Sequence, residues 1–234
     1  MKNAKRTLLC LCCVALIVAA SVMGTIAYLT DKDSVTNTFS IGDVDIILDE
    51  EAVTPEGKPT DDPTDPRVKQ NNYHLIPGQS YVKDPTVTVV KGSESSFVRM
   101  FVSINCYDEL QKIYSGTFLP QYFVEGWDNT VWVSTEKVEV SADGKVATYE
   151  FRYKEAVKPV DENTDLVLPA LFTSFKVPET FTNENLKALK DLTITAEAHA
   201  IQSAGFEDVT DPATGIVTTT AQEAAWAAFD VQNP

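Results

Sequence analysis

The chain has little with which to do metal or nucleophile chemistry. Its 234 residues hold two histidines, His74 and His199, 125 positions apart. A zinc peptidase of the H-E-x-x-H kind needs two histidines one helical turn apart with a glutamate base between them, and that spacing is missing. There is no G-x-S-x-G elbow to raise a nucleophilic serine, and no glycine-rich phosphate loop. Asp31-Lys32-Asp33 begins like a calcium loop, but Val35 and Thr36 stand where a ligand and a glycine belong. Cysteine is scarce as well. Three of four, Cys10, Cys12 and Cys13, fall in the first 27 residues, leaving Cys106 with no intramolecular partner beyond them. Basic charge is also short: 19 Lys and Arg face 34 Asp and Glu, a net charge of −15. A surface of that sign repels nucleic-acid phosphate. These absences favour a binding or structural protein over an enzyme. No catalytic residue, metal ligand or cofactor is assigned.

What the chain does have begins at its start. Lys2, Lys5 and Arg6 precede an uncharged run from Leu8 to Met23, followed by Gly24-Thr25-Ile26-Ala27 and Tyr28-Leu29-Thr30-Asp31. A basic head, an apolar core and small residues at alternate positions describe a secretory signal peptide in helical form. Thr25 and Ala27 suit the small pockets of a signal peptidase, which places the cut between Ala27 and Tyr28. The alternative is a retained anchor, but sixteen residues fall short of the ~20 that span a bilayer. Membrane contact is then limited to the uncleaved signal, and the product is secreted. The 207 residues that remain carry 16 basic and 34 acidic side chains, a net charge of −18. They are enough for one large domain with an apolar core.

After an N-terminal segment over 28–42, the periodicity is that of strands. Val44, Ile46 and Leu48 share one face, opposite Asp43, Asp45, Ile47 and Asp49. Thr86–Val90 is β-branched, and Phe97–Cys106 places Val98, Met100, Val102, Ile104 and Cys106 on one face. Cys106 is expected there as a small buried hydrophobe. Lys137–Tyr153 reads as a hairpin about Asp143-Gly144 with a type I′ turn. Leu166–Leu168, Phe172–Val177 and Leu192–Gln202 follow, with Asn183 capping a short helix before the last. Residues 50–72, with Pro55, Pro59, Pro63 and Pro66 among acidic residues, read as a long exposed loop. Thr220 and Glu223 have capping-box spacing, and Trp226 and Phe229 share one side of a helix expected to plug one end of the fold. About eight strands with turns between them predict an all-β protein, an antiparallel β-sandwich with one or two short helices, occupying 43–234.

Three stretches together resemble one family. Gly24–Asp31 resembles the junction cut by the dedicated signal peptidase SipW. Ile76-Pro77-Gly78 with Lys83-Asp84-Pro85 resembles a recurring turn of its exported substrates. Ala196–Phe206 and Ala224–Phe229 resemble their common C-terminal ending. On these motifs the chain resembles the TasA and camelysin proteins, secreted jelly-roll proteins of Gram-positive bacteria, while 108–165 match only in strand character. The resemblance implies a jelly-roll-like sandwich and a biofilm-matrix fibre subunit or fibre-associated protein. Its partners would be copies of itself or related matrix subunits. Assembly would be by donor-strand exchange, with Tyr28, Leu29 and Val35 as the apolar anchors of the donor. Two alternatives stay open: a camelysin-like surface metallo-endopeptidase, and a matrix or adhesin protein that never polymerises.

N-terminal sequencing of the exported protein should begin at Tyr28. A start at Ser21, after the rival small pair Ala19-Ala20, overturns the assignment.

Overall fold

The computed structural model describes residues 43–60, 66–116, 118 and 120–233. The signal helix, the cleavage residues Thr25, Ala27 and Tyr28, and the donor residues Tyr28, Leu29 and Val35 lie outside them. Within them the protein is mostly β, in antiparallel sheets with three short helices, as an all-β sandwich requires. The strands are β1 (Ile46–Asp49), β2 (Ser80–Val82), β3 (Thr86–Val89), β4 (Ser96–Ile104), β5 (Val124–Glu125), β6 (Trp132–Val140), β7 (Ala147–Tyr153), β8 (Leu166–Val167), β9 (Ser174–Lys176), β10 (Ile194–Gln202), β11 (Val209–Thr210) and β12 (Val217–Thr219). The helices are α1 (Tyr107–Ile113), α2 (Asn183–Ala188) and α3 (Ala221–Gln232). The largest sheet has the order β10-β4-β7-β6; the smaller ones are β1-β3-β8, β2-β9-β5 and the pair β11-β12.

Strand alternation sets the core. Met100 pairs with Phe151 and Ala198, and Val102 with Tyr149 and Ala196, so one face of the large sheet is apolar across three strands. Those side chains pack with Val87 and Val89 of β3, Tyr81 of β2 and Phe175 of β9 in one buried cluster. The hairpin forms where the sequence places it, but with a longer connection. Ser141 N–H donates to Val146 O at 2.9 Å, and only Gly144 of the turn takes positive φ, +74°. A type I′ turn needs positive φ at both central positions. Asp143 instead uses its carboxylate, accepting from Ser141 Oγ at 2.7 Å and Lys145 N at 3.2 Å.

Several expectations change. β4 stops at Ile104, and Cys106 leaves the alternation. Its φ is +54°, and its carbonyl accepts from Leu110 N at 2.9 Å to open α1. Asp108-Glu109 in the first turn carry the helix signal that outweighs strand period there. Cys106 is half-buried at the core margin. Burial, then Asp108, Asp191 and Glu109, push its thiol pKa up. The cap of α2 is Thr182, which accepts from Asn185 N at 3.2 Å, and not Asn183. The acidic stretch 205–219 forms β11 and β12.

The capping box of α3 is present, with Thr220 Oγ1 accepting from Glu223 N at 3.2 Å. The helix covers a face, not an end. Trp226, Ala225 and Phe229 lie on the side of β4 and β10 opposite the main core, against Phe97, Ile201 and His199. Between helix and sheet lies Arg99, 3% exposed. Its guanidinium carbon is 4.4 Å from the Trp226 ring centroid, 4.7 Å from Phe101 and 5.0 Å from Phe229. It donates to Asp230 at 2.5 Å, lies 3.2 Å from His199 Nδ1 and 3.5 Å from Glu150. Aromatic faces and carboxylates together compensate the buried charge.

Trp226→Ala should cost about 3–5 kcal/mol in urea unfolding, the usual range for a buried tryptophan. Arg99 holds the Asp230 carboxyl below its ordinary 3.8. A depressed folded value means the contribution is full above that figure and fades as pH falls through the lower one. Asp230→Asn should flatten that acid limb of the stability profile; an unchanged limb refutes the clasp.

Candidate functional site

The described part of the Pro-rich stretch after β1 is irregular and half exposed, and it is fastened to the body of the protein. Glu50 and Val68 exchange main-chain hydrogen bonds of 2.9 and 2.7 Å. Asn71 donates to Glu51 O at 2.8 Å and accepts from Val53 N at 3.1 Å. Gly57, at φ +70°, sits so close to Tyr81 that an added Cβ would lie 2.5 Å from the ring. The motif Lys83-Asp84-Pro85 is the fastener. Asp84 accepts from Glu51 N at 2.6 Å and from Arg67 at 2.9 Å. Lys83 donates to Glu50, both side chains at most 10% exposed. Composition reported the prolines and acids, but the partners that bury Glu50 lie tens of residues away.

This pinned segment forms one wall of a groove of about 800 Å³. The end of β1 and residues 68–73 line one side, and Leu192–Ala196, entering β10, line the other; Phe175 and Lys83 are at the floor. Tyr73 stands T-shaped against Tyr81 and Phe175 and donates to Val82 O at 2.9 Å. Burial, reinforced by the Glu50 charge, pushes its phenol pKa up, so it remains a neutral donor.

The groove lies along two strand edges. β1 is an outer strand of its sheet and β10 of the large one, and the two run side by side without belonging to one sheet. Antiparallel ladders bond alternate residues, so a single bond at each end fixes which groups point outward. Asn105 N–H donates to Thr193 O at 3.2 Å and Ser203 N–H to Ser95 O at 2.8 Å. The odd positions of β10 therefore bond β4, and the main-chain groups of Ile194, Ala196, Ala198 and Ala200 face away from it. Among the described residues none of these outward groups has a main-chain partner. In β1, Val90 N–H donates to Asp45 O at 2.9 Å, so Ile46 and Leu48 are the outward pair. The far edge of the large sheet is different. β6 carries a bulge between Ser134 and Val138 with Glu136 at φ +59°, a device that blunts an edge against further pairing.

The two histidines are not brought together into a site. His74 is exposed, with its carbonyl held by Tyr81 Oη at 2.7 Å. His199 lies under α3, stacked on Phe229 and 2.9 Å from Glu197. No helix among the described residues is long and apolar enough to cross a membrane.

Comparison of the chain with protein-family models, with curated proteins and with solved structures finds no match to any of them. The TasA and camelysin resemblance therefore stands on its motifs.

Removing one partner of the Lys83–Glu50 pair strands a buried charge, which costs about 3–5 kcal/mol. Lys83→Met and Glu50→Gln should each lose stability of that order in urea unfolding. The double variant Lys83→Met with Glu50→Leu should recover much of it. Additive losses would mean that the two groups do not depend on each other.

Proposed function

We propose that this chain is an exported structural protein of an extracellular matrix, a subunit that builds or decorates a fibre by donor-strand exchange. In this reading the antiparallel sheets are those of a jelly roll. Signal cleavage after Ala27 frees Tyr28–Thr38, and that segment completes the large sheet of the next subunit.

The observation that carries the reading is the unblunted edge of β10 beside the groove. Nine residues of strand, Ile194–Gln202, present a row of outward main-chain groups, which is a template for another strand. Strand addition satisfies such groups with main-chain bonds, while alternate side chains fill pockets. The proposed donor fits in length: eleven residues extend to about 36 Å and nine to about 30 Å at ~3.3 Å each. It holds neither proline nor glycine. Of its anchors, Leu29 and Val35 share one face of an extended strand and would meet Ala196, Ala198 and Ala200, whose short side chains leave room beside them, while Tyr28 falls on the other face. A contact of this kind joins unlike surfaces, and a head-to-tail contact that does not close on itself makes a filament.

Electron microscopy and light scattering on residues 28–234 and 39–234 separate the outcomes. Among the described residues the apolar core lies after Gly42, and residues from Gly42 onward form a compact unit of their own, which the shorter chain retains. Fibres from the first and monomers from the second are expected. The same fibres from both would overturn donor-strand exchange, and folded monomers from both would favour a matrix protein that never polymerises.

A further inference from the structure

The C-terminal stretch is attached to the sheets by side chains alone. Ser203 is tied to Ser95, its N–H donating to Ser95 O at 2.8 Å and its hydroxyl to the Ser95 hydroxyl at 2.9 Å. Beyond it, among the described residues, no bond between main-chain groups joins 204–233 to anything before Ser203. β11 and β12 pair only with each other. Two hydrogen bonds cross from this stretch to the rest: Arg99 donates to Asp230 at 2.5 Å, and Gln222 Nε2 donates to Tyr153 O at 2.8 Å. The apolar contacts are separate as well. Trp226, Ala225, Phe229 and Phe206 form a cluster with Phe97 and Ile201, while the main core draws on no residue after Ala200.

We infer that residues 204–233 are a latch that opens as one unit at the Ala204-Gly205 turn while the sheets stay folded. Such an opening is independent of strand exchange. Proteins open locally in cooperative units, and the units that open most easily have few buried apolar contacts to the rest. Here the unit has a small cluster of its own. Opening breaks that cluster and two hydrogen bonds, and leaves the ladder β10-β4-β7-β6 with its core face intact. It also returns Arg99 to water. A buried guanidinium carries a desolvation cost that its partners offset, so closure is worth less than the sum of its contacts. The open form uncovers Phe97, Arg99 and Ile201, a surface on the outer side of β4 and β10 that the closed protein hides.

Amide exchange of the exported protein, residues 28–234, in rising sub-denaturing urea measures the opening. The α3 amides of 224–229 should exchange about tenfold faster than those of β7, or faster still. Their urea dependence should be above zero but smaller than that of β7, because the latch exposes less surface than global unfolding. The double variant Trp226→Ala with Asp230→Asn should hold the latch open, with protection lost in α3 and kept in β4 and β7. One urea dependence shared by α3 and β7 would mean that the helix leaves only when the whole protein unfolds, and overturns the latch. Exchange of 224–229 with no urea dependence would be fraying of the helix, not opening of the unit, and overturns it as well. So does loss of protection in β4 and β7 of the double variant, which would show that the large sheet cannot stand without its cover.

Discussion

Strand β4 is covered on both faces, and much of the rest of the structure is arranged around that demand. Its even side chains enter the main core, which any half-buried strand would do. Its odd side chains include Phe97 and Arg99, 8% and 3% exposed, and they need a second cover. That cover is α3, whose Trp226 and Ala225 are themselves buried only because the sheet is beneath them. A cationic side chain in such a place is tolerable only with its partners present. The aromatic rings of Phe101, Trp226 and Phe229 and the carboxylates of Glu150 and Asp230 supply them. Among the described residues, whose one cysteine is free, the C-terminal helix is fastened around one buried charge.

The alternating strands were legible because their period is set by the pleat alone. Val98, Met100, Val102 and Ile104, and Tyr149, Phe151 and Tyr153, fall where spacing puts them. What spacing cannot supply is the content of the other face. Arg99 in the run Phe97–Ile104 reads as a solvent-side residue until a helix more than 120 residues later is laid over it. Cys106 shows the same limit at a boundary, since one left-handed residue ended the strand two positions before the apolar pattern did. Composition left the fastening of 50–72 unseen for a related reason. Proline and acid content exclude regular strand, but they do not exclude attachment through Asp84, Lys83 and Asn71. Of the groove, the strand Leu192–Gln202 was visible in the sequence, while the wall formed by Lys69 and Tyr73 beside it was not.

On the strand-exchange proposal, the groove reflects a conflict between solubility and assembly. A nine-residue strand at a sheet edge is an aggregation hazard, and the opposite edge, β6, carries a bulge and the charged residues Glu136, Lys137 and Glu139. Among the described residues β10 meets no such device on its outward main-chain groups, and its core-facing residues are small. A strand left unblunted beside a groove, in a sheet whose other edge is blunted, is the arrangement expected where one particular strand is to be admitted.

Charge sets the range over which that admission can operate. With 34 acidic against 16 basic residues after Ala27, two copies repel at long range. At physiological salt the repulsion is screened beyond about 8 Å. Main-chain hydrogen bonding acts only at ~3 Å, well inside that distance. Approach is thus opposed by the whole surface, and capture is rewarded only by local pairing at an unblunted edge. Such a balance disfavours nonspecific association, in which the acidic surfaces meet without gaining a ladder. It favours a segment that brings little charge of its own: Tyr28–Thr38 holds two acids and one base. The acidic surface and the unblunted edge are therefore complementary features, the one suppressing most contacts and the other leaving one rewarded.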